Sequence, residues 1–313
     1  MIAYLFKRIG STALIMLIVS LMVFMLLHLA PGDPAQVLAG DNATDEQVER
    51  LRQSLGLNDP LLVQFARWIG NVVQGDLGAS LYTNEPVLRL IAQRAEATLS
   101  LAFATMTIAV PLAISFGVIA AHFRGTNADR VVMMISVIGF SVPAFVIGYL
   151  LVWVFAVRMG AFPVQGYAPI AEGVGRWAHH LVLPAFTLGV TYTALIARIT
   201  RATMVEVLSE DFIRTARAKG VPMRRILLTH ALRNAGVPII TVIGIGVALL
   251  IGGVVVTETV FNIPGIGRLI VDAIARRDYP VIQGVILVSA FVYVLLNLIT
   301  DMSYTLIDPR IRY

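Results

Sequence analysis

The stretch TLSLAFATMTIAVPLAISFGVIAA, Thr98–Ala121, runs for 24 residues without an acid, a lysine, an arginine or a histidine. A helix needs about 20 consecutive, mostly apolar residues to cross the hydrocarbon core of a bilayer. Five more runs of the same kind occur, at Ile9–Ala30, Val131–Val157, Leu181–Ala197, Ala235–Thr257 and Val281–Thr300. Among these charge-bearing residue types, His28 is the sole occurrence in all six runs. Helices buried in a soluble core keep a polar stripe toward water, and these runs have none. The composition agrees: 58% of the 313 residues are hydrophobic and 14% are charged, against about 25% charged in a soluble domain. The expected fold class is therefore all-α, a polytopic membrane protein with six transmembrane helices.

The first run follows Lys7 and Arg8, as a secretory signal would. Its 22 apolar residues exceed the roughly 7–15 of a signal core, and His28-Leu29-Ala30 is no small-x-small cleavage site, so a permanent anchor is expected. Basic residues favour the cytoplasmic side of a membrane protein. With both termini inside, the inner segments carry 14 Lys and Arg against 10 on the longer outer segments, which also hold 13 of the 19 acids. Both termini are thus expected in the cytoplasm. The net charge of +5 belongs to that inner face and argues against a nucleic-acid partner. The chain has no cysteine, which excludes disulfides and thiolate metal sites.

Three parts are expected: residues 1–30 as tail and first span, an outer helical segment 31–97, and a five-helix core 98–313 containing the inner loop 198–234. In the outer segment Thr44 and Gln47 form a capping box, with Val48, Leu51 and Leu55 on one face and Gly56 closing the helix. A second helix is expected from Pro60 to near Gly75, capped by Asp59, with Leu61, Phe65, Trp68, Ile69 and Val72 on its apolar face. Amphipathicity alone fits helices resting on the bundle better than a docking surface for a soluble partner, since it names no partner.

The inner loop reads EVLSEDFIRTARAKGVP over Glu206–Pro222. Ser209 or Asp211 can cap a helix whose apolar side is Phe212, Ala216 and Val221, while Arg214, Arg217 and Lys219 make the rest basic. Gly220 stands where a helix end needs a left-handed residue, and Pro222 where a new helix begins. A short helix of this kind suits a groove on another protein. By pattern alone it is equally a solvated basic loop.

Catalytic patterns are missing from the sequence. There is no phosphate-binding G-x-x-x-x-G-K-[ST], no G-x-S-x-G and no H-E-x-x-H. The five histidines (28, 122, 179, 180 and 230) do not converge at metal-ligand spacing. The acids Glu258 and Asp301 fall at span ends and are expected at the water interface. Pro111, Pro143 and Pro184 within spans, and Gly244, Gly246, Gly252 and Gly253 in the fifth, allow kinks and close helix approach.

Several motifs carry a resemblance: SEDFIRTARAKG (209–220), ALRNA (231–235), HLAPGDP (28–34), QGDLGAS (74–80), TETVFNIPGIGR (257–268), RDYPVIQ (277–283) and DPRIR (308–312). Together they resemble, end to end, the dipeptide/oligopeptide branch of permease subunits in binding-protein-dependent ABC importers. The general loop pattern of that family, Glu-Ala-Ala, three residues, Gly, falls on Arg214, Thr215, Ala216 and Gly220, keeping one alanine and the glycine. The resemblance implies a non-catalytic subunit of the bacterial cell (inner) membrane, forming half of a translocation pore. It implies as partners a second homologous permease, two cytoplasmic ATPase subunits that carry ATP-Mg, and an external binding protein. The chain itself would hold no cofactor. The implied substrates are di- or oligopeptides or glutathione-like molecules, with nickel chelates or other small solutes as the alternative and an ATP-independent carrier as a more distant one. The inner loop would then be the coupling helix that docks on the ATPases, with Arg214, Thr215, Ala216 and Gly220 at its core. Asp211, Arg217 and Lys219 join them from charge and position.

Overall fold

The computed structural model describes residues 2–29, 34–39, 43–54, 56–251 and 254–307. Among them the α-helices are Ile2–Leu29 (α1), Pro34–Ala39 (α2), Asp45–Ser54 (α3), Leu61–Val73 (α4), Val87–His122 (α5), Asn127–Ser141 (α6), Ala144–Leu151 (α7), Val174–Val207 (α8), Asp211–Ala218 (α9), Met223–Arg225 (α10), Leu232–Asn234 (α11), Gly236–Ile251 (α12), Val255–Val260 (α13), Ile266–Arg276 (α14) and Tyr279–Ile307 (α15). Two π-helical stretches, Val152–Arg158 and Ile226–Ala231, continue α7 and join α10 to α11. No strand occurs among the described residues; Ala79 and Pro86 form a single antiparallel bridge.

Among the described residues, three helices are long and apolar enough to cross a bilayer unaided: α5, α8 and Tyr279–Tyr304 of α15. Two bent pairs raise the number to five if each is one span. These are Asn127–Ser141 with Ala144–Arg158, bent by 100°, and Met223–Asn234 with Gly236–Ile251, bent by 65°. Helix α1 has 28 residues, with Gly10–Leu26 as its apolar stretch. Outward side chains are apolar, as at Met22, Phe103 and Met134, a surface that hydrocarbon accepts and water opposes.

The expected span 131–157 is therefore not one straight helix. The last helical bond of α6 runs from the Val142 N–H to the Ile138 carbonyl at 3.0 Å. Val142 is then extended, with ψ 126°, the conformation toward which the Pro143 ring biases its predecessor. Pro111 and Pro184 sit inside α5 and α8, which continue through them. Gly252, Gly253, Pro31–Asp33 and the DPRIR motif lie outside the described residues.

The chain forms two compact units, Ala95–Arg268 with the chain from Val292 onward, and Ile2–Arg94 with Leu269–Phe291. In the second unit, Phe24 of α1 meets Phe65 and Trp68 of α4 at ring distances of 5.3 and 5.8 Å. The buried Asp278 carboxylate accepts the Ser80 hydroxyl at 2.6 Å and the Leu81 N–H at 3.1 Å. The Thr44–Gln47 capping box is present: the Thr44 N–H donates to Gln47 Oε1 at 3.0 Å and the Gln47 N–H to Thr44 Oγ1 at 3.4 Å. Asp59 does not cap the next helix. Pro60 holds the cap position, and Asp59 pairs with Arg67 at 2.7 Å.

In the first unit, Leu101, Leu181, Leu188, Leu250, Phe261 and Ile263 form the largest apolar core. Glu258 corrects the expectation of a water-interface charge, because it is wholly buried. Thr98 Oγ1 donates to its Oε1 at 2.7 Å, and the Arg268 N–H donates to its Oε2 at 2.8 Å. A side chain at Gly265 would overlap this carboxylate, so glycine is required there by close approach. Asp301 is half-buried.

Candidate functional site

Helix α8 has 34 residues and, at 1.5 Å per residue, extends for about 51 Å. It is longer than a bilayer core of about 30 Å, and its last turns, with Arg198, Arg201 and Glu206, form the stalk that leads to α9. The stalk turns into α9 without slack. The Leu208, Ser209 and Glu210 N–H groups donate to the carbonyls of Met204, Glu206 and Val207 at 2.9, 3.0 and 3.2 Å. Ser209 Oγ also donates back to Glu206 O at 2.6 Å. Neither Ser209 nor Asp211 caps α9 as expected. Glu210 takes the cap position without a side-chain bond, and Asp211 supplies negative charge to the first turn, where the helix dipole favours it.

One residue pins α9 to the protein. Ile213 is fully buried, packed with Met204, Ile226, Ala231, Ala235 and Ile239. The expected apolar side of Phe212, Ala216 and Val221 is thus corrected: Ala216 and Val221 border this cluster, but Phe212 is 43% exposed. The sequence signal for Ile213 was its spacing of three residues from Ala216. An eight-residue helix has too few turns for that spacing to outrank a phenylalanine next door.

The seven sequence-predicted residues are brought together on this one projection. Asp211, Arg214, Thr215, Arg217, Lys219 and Gly220 are exposed and Ala216 is half-buried. Arg214 reaches Asp211 at 3.1 Å across one turn, and Thr215 Oγ1 bonds the Asp211 carbonyl at 3.0 Å. Gly220 is left-handed, with φ +73°, and nothing stands within 4 Å of where a Cβ would be. Its backbone conformation alone therefore favours glycine. The Val221 N–H closes the helix end on the Ala216 carbonyl at 3.1 Å, and Pro222 leads into α10. The return path is π-helical from Ile226 to Ala231, a winding that is rare and frequent at functional sites.

A partly buried ion pair braces the stalk one helix over. Arg201 of α8 grips Asp129 at the start of α6 with both prongs, Nε to Oδ1 at 2.5 Å and Nη2 to Oδ2 at 2.7 Å. Asp129 also accepts the Gly125 N–H at 2.9 Å. The Arg201 hydrogen bonds hold the Asp129 carboxyl below its ordinary value of 3.8, with Gly125 adding to the effect against burial. The same bonds raise Arg201. The two residues stand 72 apart in the chain, so no local sequence pattern marks the pair.

The projection offers exposed surface, charge and a hydrogen-bonded connection to α8.

Two family descriptions cover nearly the whole chain. Residues 113–313 match the binding-protein-dependent transport system inner membrane component, and residues 1–102 match the N-terminal part of such membrane components. Among similar proteins, a probable peptide ABC transporter permease of Sinorhizobium fredii is 56% identical over 310 residues, 99% of each chain. A putative peptide transport system permease of Brucella abortus is 45% identical over 313 residues, 100% of each chain. A glutathione transport system permease of Escherichia coli is likewise 45% identical over 313 residues, 100% of each chain. With its apolar helices and its projecting loop, the chain belongs to the family of binding-protein-dependent transport system inner membrane components.

Proposed function

We propose that this chain is the permease subunit of an ATP-driven importer and forms half of a translocation pore for di- or oligopeptides or glutathione-like molecules. Six crossings with both termini in the cytoplasm form its frame: the first within residues 1–30, an outer helical segment 31–97, and five more in the core 98–313. A second homologous permease completes the pore, two ATPase subunits bearing ATP-Mg drive it, and an external binding protein delivers the substrate. The chain performs no chemistry of its own.

The observation that carries this is α9: a short, exposed, basic helix fastened by Ile213 and ended by a left-handed Gly220, on a chain of this transport family. In this role Asp211, Arg214, Thr215, Ala216, Arg217, Lys219 and Gly220 meet the ATPase. Closure of the ATPases on ATP displaces α9, and α8 carries the displacement into the membrane. Driving a two-state equilibrium from 1:99 to 99:1 takes about 5.5 kcal/mol of differential binding, all of it passing through this loop. Peptide substrate is supported by the names of the relatives above.

The test is uptake of labelled dipeptides, oligopeptides and glutathione by proteoliposomes holding both permeases, the ATPases and the binding protein. ATP-dependent uptake is expected. Uptake that persists when the ATPase subunits are omitted would make the chain an independent carrier. Orientation is checked by single cysteines placed at Arg217 and Arg50 in this cysteine-free chain. An impermeant maleimide should label the Arg50 site from outside and the Arg217 site only in inverted vesicles.

A further inference from the structure

The turn between α8 and α9 is closed by backbone bonds at every step from Leu208 to Glu210, so α9 cannot shift without moving the end of α8. Arg201 lies on that end, its side chain 27% exposed and that of Asp129 6% exposed. The carboxylate has two attachments on different parts of the chain. Besides Arg201 it holds the Gly125 N–H, in the turn that joins α5 to α6. That turn is tightened further by the Thr126 N–H and hydroxyl, both donated to the Phe123 carbonyl, at 3.0 and 2.7 Å. Around the pair the helices touch closely. A Cβ at Gly117 of α5 would stand 2.5 Å from Thr200, the neighbour of Arg201, and one at Gly139 of α6 would stand 2.9 Å from Val190 of α8. Arg198 lies over the Phe140 ring at 5.5 Å.

Packing along the apolar stretches therefore already holds α6 against α8. The ion pair adds something different: a directional, two-pronged tie at the end of α8 that is joined to α9. We infer that Asp129 and Arg201 are positioning residues for coupling, making the α5–α6 turn and α6 travel with α8 when α9 is displaced. This rests on the coupling role proposed for α9. The pair touches neither substrate nor nucleotide. It acts by keeping two helices one body during the stroke, and removing the two-pronged Arg201 bond to Asp129 would let them part.

The experiment uses the complete transporter in proteoliposomes. Spin labels on Ala128→Cys and Glu206→Cys, both exposed positions, report the distance between the start of α6 and the end of α8. With the pair intact this distance should be the same without nucleotide and with ATP trapped. A distance that changes with nucleotide during normal uptake would overturn the inference. Asp129→Asn should keep ATP hydrolysis but move less solute per ATP, by roughly twofold to thirtyfold, the span over which linking side chains modulate coupling. An unchanged ratio, or hydrolysis and uptake falling in proportion, would reduce the pair to a structural brace. Gly220→Val separates the two ideas. If it takes up solute normally, the coupling role of α9 falls; if it uncouples while Asp129→Asn does not, the tie alone falls.

Discussion

Thr98 at the head of the second apolar run and Glu258, 160 residues later, share a buried 2.7 Å hydrogen bond. The same hydroxyl accepts the Ile266 N–H at 2.8 Å, so one threonine satisfies a carboxylate and a backbone donor at once. Through this side chain Glu258 and Ile266 are both tied to α5, beside the apolar packing of Phe261 and Ile263.

Replacing Thr98 with Val strips both partners of their bond while keeping the shape. Each buried polar group left unsatisfied costs about 1–3 kcal/mol. A lowered Tm of the solubilised protein is expected, with a comparable or larger loss in Gly265→Ala, whose new methyl would enter the Glu258 carboxylate. A thermal unfolding curve for Thr98→Val that superimposes on the parent would contradict the clasp.

Phe212 and Ile213 should separate folding from docking. Ile213→Ala empties a fully buried site, and such truncations cost about 2–5 kcal/mol. Stability should fall and the loop should become sensitive to protease. Phe212→Ala removes an exposed ring, so Tm should hold while co-purification of the ATPase subunits weakens. The opposite assignment of effects would show that the helix faces its partner the other way round.

Forcing a branched side chain onto the left-handed Gly220 costs roughly 1–2 kcal/mol. Gly220→Val is expected to insert in the membrane at normal levels yet lose uptake while the ATPases still hydrolyse ATP. Parallel assays of peptide uptake and phosphate release measure this directly.

Asp129 gives a pH signature with a definite sign. Its folded pKa lies below the ordinary 3.8, so its ionised form is the one that native contacts favour. The stabilisation is complete above about pH 5 and is lost as pH falls through the lowered pKa. The stability gap between the parent and Asp129→Asn should therefore be constant from about pH 5 to 8 and shrink in stronger acid. A gap that widened on acidification would have the wrong sign for this pair.

What was legible in the sequence was local or cumulative. The apolar stretches of α5 and α8 follow from uninterrupted hydrocarbon side chains, and the Thr44–Gln47 box and the left-handed Gly220 follow from rules spanning three or four residues. The 100° break at Pro143 was not separable from the unbroken courses through Pro111 and Pro184, since a membrane helix can satisfy freed carbonyls from its neighbours. Glu258 read as a surface charge because its partners, Thr98 and the Arg268 N–H, are supplied by tertiary structure. Ile213 lost to Phe212 on size, although burial was decided by which face of α9 meets Met204. The Asp129–Arg201 pair was invisible for the same reason, its members meeting only through folding.

The uninterrupted course of α8 makes it a rod of about 51 Å. A tilt of about 5° about its midpoint swings each end sideways by about 2 Å, in opposite directions. A rod pivoting in a slab needs no second motor to close one mouth of a channel and open the other; both follow from a single rotation.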